Sequence, residues 1–149
     1  MPNPQTILLV DDDELLALLV AELLRDQGCQ VWTARNGLDG YLSYQRYRTA
    51  IVVTDIDMPE LDGFEMMRYI RAINPSVNTI YISGAAEQYR QSLLVEAQKF
   101  GAAVLRKPFA AIHLLKLIRF SSGQTSKIGT WSSYGWLDSQ SKLGLKEAG

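Results

Sequence analysis

A chain of 149 residues with 47% hydrophobic and 21% charged residues has enough length for one well-buried domain and an ordinary globular composition, which argues against collagen-like, low-complexity and wholly disordered classes. Fifteen Lys and Arg against sixteen Asp and Glu leave a net charge of -1, too little positive field to draw nucleic acid or anionic lipid to the whole surface. The single cysteine, Cys29, has no internal disulfide partner, the first basic residue is Arg25, and the apolar stretch from Leu15 to Ala21 falls far short of the roughly 20 residues of a membrane span. These features predict a reducing, cytoplasmic setting with no signal peptide and no membrane association.

Short apolar runs then alternate with longer helical patterns over the first 120 residues. The pattern predicts a strand at 7–10, a helix at 14–27 stopped by Gly28, a strand at 30–33 and a helix at 38–47. A strand at 50–54 and a helix at 63–73 follow, the helix ended by Asn74-Pro75. Further on come a strand at 78–82, a helix at 87–100 stopped by Gly101, a strand at 102–105 and a helix at 110–120. Five βα units with continuously apolar central strands imply an α/β fold with an open, five-stranded parallel sheet, doubly wound. Such sheets bind ligands outside the carboxyl ends of their strands. From residue 121 to 149 the composition changes to seven Ser and five Gly, with Trp131, Tyr134 and Trp136 among them, which predicts a tail whose aromatics either dock on a protein surface or stand in a linker.

The strand ends carry the chemistry: Asp11-Asp12-Asp13 after the first, Asp55-Ile56-Asp57 after the third, Ser83-Gly84 after the fourth and Arg106-Lys107-Pro108 after the fifth. Two carboxylates 4 Å apart repel by about 4 kcal/mol at an effective dielectric near 20, so a carboxylate cluster calls for a cation or a proton. Oxygen ligands without Cys or His in metal spacing favour Mg²⁺, which is typically held by one or two carboxylates plus a phosphate. A carboxylate beside Mg²⁺, a lysine and a hydroxyl is a nucleophile equipped for phosphoryl transfer. Lys107 would neutralise charge on the phosphoryl oxygens, Ser83 would donate a hydrogen bond, and Gly84 would leave room for close backbone approach. Other residues have plainer readings. Asp13 is expected as a helix N-cap, Pro59, Asp62 and Gly63 as turn residues, His113 on a helix surface and Cys29 as a small core residue.

With those residues in place, the chain from about residue 5 to residue 120 resembles the receiver domain of bacterial two-component response regulators. The carrying motifs are the Asp11-Asp12 pair, the run Asp55-Ile56-Asp57-Met58-Pro59-Glu60-Leu61-Asp62-Gly63, Ser83 before a small residue, and Lys107-Pro108. The resemblance implies a flavodoxin-like strand order of 2-1-3-4-5. It also implies Asp55 as phosphoacceptor, with Asp11, Asp12, Asp55 and the backbone carbonyl of Asp57 as Mg²⁺ ligands. Ser83 and Lys107 would hold the phosphoryl group, and the Lys107-Pro108 bond would be cis. A histidine kinase or phosphotransfer protein would be the donor. Partner binding would switch at the face of the fourth helix, fifth strand and fifth helix, with a homodimer as one outcome, and the domain would be a signalling module and not an enzyme. The family usually has an aromatic where this chain has Val104, a short and stiff side chain, which puts the usual coupling between the Ser83 hydroxyl and an inward-swinging aromatic in question. Two other functions compete: a Mg²⁺-dependent phosphatase resembling the haloacid dehalogenase-like enzymes, against which the order of the motifs counts, and an unphosphorylated docking or dimerisation module.

Overall fold

Ten elements alternate along residues 3–121, the part of the chain that the computed structural model describes. They are β1 (Thr6–Val10), α1 (Glu14–Asp26), β2 (Gln30–Ala34), α2 (Gly37–Tyr47), β3 (Ile51–Asp55), α3 (Gly63–Ile73), β4 (Asn78–Ser83), α4 (Arg90–Phe100), β5 (Ala103–Arg106) and α5 (Ala111–Ser121). The strands form one sheet ordered β2-β1-β3-β4-β5, with parallel pairing, the arrangement of the flavodoxin-like doubly wound class. The described residues fall into two compact units, one ending at Thr79 and the other beginning at Ile80. Trp131, Tyr134 and Trp136 lie outside the described residues.

In the first unit, Ile7 through Val10 of β1 and every residue of β3 are buried. A strand covered on both faces has no solvent side, so its sequence must be continuously apolar instead of alternating. β2, at the margin of the sheet, is only partly covered: Gln30 and Thr33 are exposed while Val31 and Ala34 are buried. The Arg25 guanidinium donates to the Val31 carbonyl at 2.7 Å, occupying an acceptor on an edge strand that another chain's backbone would otherwise meet. α1 starts where Asp13 accepts the Leu16 N–H, as its sequence position predicts, and it buries Ala17, Val20, Ala21 and Leu24. Asp62 and Glu65 cap α3 reciprocally, each side chain accepting the other residue's backbone N–H. That helix ends at Asn74, because the following Pro75 disfavours helical backbone in the residue before it.

In the second unit, Ile80 through Ser83 of β4 and Ala103 through Leu105 of β5 are buried, and α5 contributes Leu114, Leu117 and Ile118 to the core. α4 ends at Gly101, whose φ of +70° is open to glycine without the Cβ penalty. Its start differs from the expected residue 87. Residues 85–90 form successive turns, with the N–H groups of Gln88, Tyr89 and Arg90 donating to the carbonyls three residues earlier, and the helix begins only at Arg90. Glu87, which periodicity placed in the first helical turn, instead pairs with Arg106 on β5 at 2.7 Å. Cys29 also departs from expectation: it is half-buried in the turn between α1 and β2 and does not belong to the core.

Gly63 is required by a close approach and not only by turn chemistry. A Cβ there would lie 2.3 Å from the Asp55 carbonyl oxygen and 3.0 Å from the Ile56 Cα, and both neighbours are backbone. Gly63→Ala is therefore expected to destabilise the protein by about 1–3 kcal/mol, the usual cost of overpacking, read as a lower urea midpoint at unchanged slope.

Candidate acidic site at the strand ends

The three consecutive aspartates after β1 do three different jobs. Asp11 continues the β1–β2 ladder by one bond, its N–H donating to the Ala34 carbonyl at 3.0 Å, and its side chain is 1% exposed. Its Oδ1 accepts the Asp13 N–H at 2.9 Å, which turns the carboxylate back over the strand end. Asp12 is exposed, and Asp13 caps α1.

Asp55 is the last residue of β3 and is 7% exposed. Its Oδ1 accepts the Ile56 N–H at 2.8 Å, and its backbone carbonyl accepts the Thr54 hydroxyl at 2.7 Å. The Gly63 N–H donates to the Ile56 carbonyl at 2.9 Å, closing the loop that follows. The carboxylate is thus oriented by backbone on a loop that is itself held from both ends. One carboxylate oxygen from each of Asp11, Asp12 and Asp55 lies within 4.8 Å of the other two. Asp57 is exposed and its carboxylate stands outside that group; the role implied for it belongs to its backbone carbonyl.

Three carboxylates at this spacing, two of them buried, repel by several kcal/mol unless a cation or proton sits among them. An all-oxygen donor set with one exposed member suits a hard divalent ion that keeps part of its water shell, as Mg²⁺ does, and does not suit a metal that prefers sulfur or nitrogen. The residues present therefore fit the ion that the sequence implies.

The second unit holds the other expected site residues. Ser83 is the last residue of β4 and is 1% exposed; its Oγ accepts the Ala85 N–H at 2.9 Å. Lys107 continues the β4–β5 ladder one step past Arg106, its N–H donating to the Ser83 carbonyl at 2.8 Å, and the Lys107-Pro108 bond is cis. The register thus levels the ends of the two strands and brings Ser83 and Lys107 together. A Cβ on Gly84 would meet nothing nearer than the Lys107 Cβ at 4.0 Å, so no protein neighbour forces glycine at that position. Val104 is fully buried on β5, opposite Tyr81 of β4. Three features escaped the sequence reading: the Tyr81 phenol bonded to Glu96 at 2.6 Å, the Arg106–Glu87 pair, and the fit of Gly63 against Asp55. The first had a faint signal, a tyrosine two residues before Ser83 in a strand of period two.

A family model described as the response regulator receiver domain matches residues 7–119. Among similar proteins, the chemotaxis protein CheY of Listeria monocytogenes is 33% identical over 114 residues, covering 75% of this chain and 93% of the relative. The transcriptional regulatory protein FixJ of Azorhizobium caulinodans is 29% identical over 153 residues, covering 100% of this chain and 67% of the relative. Among solved structures, the receiver domain of the sensor histidine kinase PA1611 from Pseudomonas aeruginosa is 28% identical with a TM-score of 0.72, covering 81% of this chain and 99% of that one. That structure is described with a magnesium ion coordinated in its active-site cleft.

Mg²⁺ is expected to raise the melting temperature by relieving the repulsion among Asp11, Asp12 and Asp55, by the equivalent of about 2.7 kcal/mol at 100 times its dissociation constant. Asp12→Ala should lose most of that gain and raise the metal-free melting temperature. An equal Mg²⁺ effect in both proteins, followed by scanning calorimetry, would contradict the metal assignment.

Proposed function

The chain belongs to the response regulator receiver domain family, and from that premise we propose that it is a phosphoacceptor switch in which Asp55 takes a phosphoryl group from a phosphohistidine. The observation that carries this reading is the approach of Asp11, Asp12 and Asp55 oxygens within 4.8 Å of one another, with Asp55 at the buried end of a central strand. A site of that charge has little use except to gather a cation and, through it, an anion. In the transfer, a carboxylate oxygen of Asp55 forms a bond to phosphorus while the bond from phosphorus to the donor's imidazole nitrogen breaks, its electron pair returning to the ring.

The protein's own residues have separable parts in this step. The Ile56 N–H, bonded to Asp55 Oδ1, holds the carboxylate plane fixed, so little reorganisation is needed on attack. Asp11 and Asp12, with the Asp57 carbonyl, would hold Mg²⁺, which when bound supplies positive charge opposite the phosphoryl oxygens. The Lys107 ammonium and the Ser83 hydroxyl would bind two of those oxygens. Ser83 can donate its proton to a phosphoryl oxygen while its Oγ still accepts the Ala85 N–H, so engagement of the hydroxyl is transmitted to the turn before α4. The donor would be a histidine kinase or a phosphotransfer protein. The readout would be a protein partner at the α4, β5 and α5 surface, in the cytoplasm. No helix among the described residues is long and apolar enough to cross a membrane.

Acetyl phosphate with Mg²⁺ should add one phosphoryl group, localised by mass spectrometry to the peptide containing Asp55. Asp55→Asn should abolish it, and omission of Mg²⁺ should reduce it by at least tenfold. Modification at Asp57 or Asp62, or modification independent of Mg²⁺, would defeat the reading.

A further inference from the structure

Within the second unit, one face of the sheet grips the segment that leads into and through α4. Tyr81 and Ser83 are two residues apart on β4 and therefore share a face, and the parallel register sets Val104 opposite Tyr81 and Arg106 opposite Ser83. From this face three polar bonds reach the 85–96 segment. The Ser83 Oγ accepts the Ala85 N–H at 2.9 Å, the Arg106 guanidinium meets Glu87 at 2.7 Å, and the Tyr81 hydroxyl donates to the Glu96 carboxylate at 2.6 Å. The Arg106–Glu87 pair is about half exposed on both sides and so contributes little. The Tyr81–Glu96 bond differs: the ring is fully buried and its acceptor is charged and half-buried, a setting in which a short bond is strong.

α4 gives that bond unusual weight. Leu93 is its one buried residue, its N-cap Tyr89 makes no side-chain cap bond, and its first turn carries no acidic residue to meet the helix dipole. A helix with so little apolar anchorage depends on specific polar ties for its position. Val104 offers Tyr81 a short aliphatic neighbour, so the large aromatic of this face stands on β4, the strand that bears Ser83, and not on β5.

We infer that Tyr81 is a positioning residue which, through its hydroxyl on Glu96, latches α4 to the Ser83 strand and thereby sets how far α4 responds when the Ser83 hydroxyl is drawn to a bound anion. The inference rests on the phosphoacceptor reading for its trigger, but the latch itself exists without any ligand. Drawing Ser83 toward a phosphoryl oxygen pulls at Ala85 and the turns of 85–90, while the Tyr81 ring, being buried, stays in place and does not follow. The two ends of the segment are then pulled differently, and the tie at Glu96 is the one that yields.

Hydrogen exchange resolved by peptide tests this on the full chain, in wild type, Tyr81→Phe, Glu96→Gln and the double variant, each with and without Mg²⁺ and beryllium fluoride. Tyr81→Phe keeps the ring, so a purely packing role leaves exchange unchanged. The latch predicts faster exchange of α4 amides by about tenfold or more, the loss expected for a hydrogen bond to a charged group, with β4 and β5 unaffected. The double variant should be no worse than Tyr81→Phe alone, because Glu96→Gln, by taking away the acceptor's charge, only weakens the same bond that Tyr81→Phe removes. Beryllium fluoride should loosen α4 in wild type and change it little in Tyr81→Phe. Additive single effects, an increase spread evenly over β4, β5 and α5, or a full beryllium fluoride response in Tyr81→Phe would overturn the latch. A wild-type chain that shows no beryllium fluoride response and no acetyl phosphate adduct on Asp55 overturns the phosphoacceptor reading instead, and the ligand-free exchange then decides the latch alone.

Discussion

Carboxylate repulsion is the constraint on which the first half of the structure turns. Asp11 and Asp55 are nearly as buried as the leucines and isoleucines beside them, and Asp12 brings a third carboxylate oxygen within 4.8 Å of theirs. A fold selected only for stability would place hydrophobic residues at these strand ends. Part of the cost is met locally by backbone: the Asp13 and Ile56 N–H groups each donate to a buried carboxylate. On the proposed reading a cation neutralises the remaining charge, which would make the site's stability and its ligand binding two sides of one equilibrium.

The loop after β3 shows how the scaffold meets that constraint. Asp55 is held through its own carbonyl, through the Ile56 N–H and by the absence of a side chain at Gly63, while the capping box of Asp62 and Glu65 fixes where α3 starts. Met58 packs inward at 6% exposure between exposed Asp57 and Pro59, so the loop is anchored at its middle as well as its ends. Rigid support of this kind is what a nucleophile needs if its orientation is to be set before its substrate arrives.

The second unit is built with the opposite emphasis. β4 and β5 are buried and in strict register, yet α4 lies over them with one buried side chain and a set of polar ties. Elements that change position are drawn from the weakly packed part of a structure, because a well-packed helix has no second arrangement of similar energy. The carboxylate cluster is held by backbone whereas α4 is loosely seated, and the proposed switch would draw on that difference.

Strand and helix identity, the five-fold βα alternation, the parallel sheet and the residues at the strand ends were legible in the sequence, because hydrophobic period and turn chemistry are local properties and this chain obeys both. The capping role of Asp13 and the stop at Gly101 were legible for the same reason. Motif spacing likewise identified Asp11, Asp12 and Asp55 as a group, and the Asp-x-Asp-Met-Pro run carried the family resemblance. What only the tertiary structure decided depends on groups far apart in sequence. Glu87 pairs with Arg106 ahead of a helix that begins only at Arg90, Gly63 proved to be a packing requirement because the Asp55 carbonyl lies against it, and Tyr81 became more than a core aromatic because Glu96, fifteen residues on, accepts its hydroxyl. Local pattern states which face of an element is apolar, but it does not state which polar atoms meet across elements, since that is set by register and by the packing of helices on the sheet.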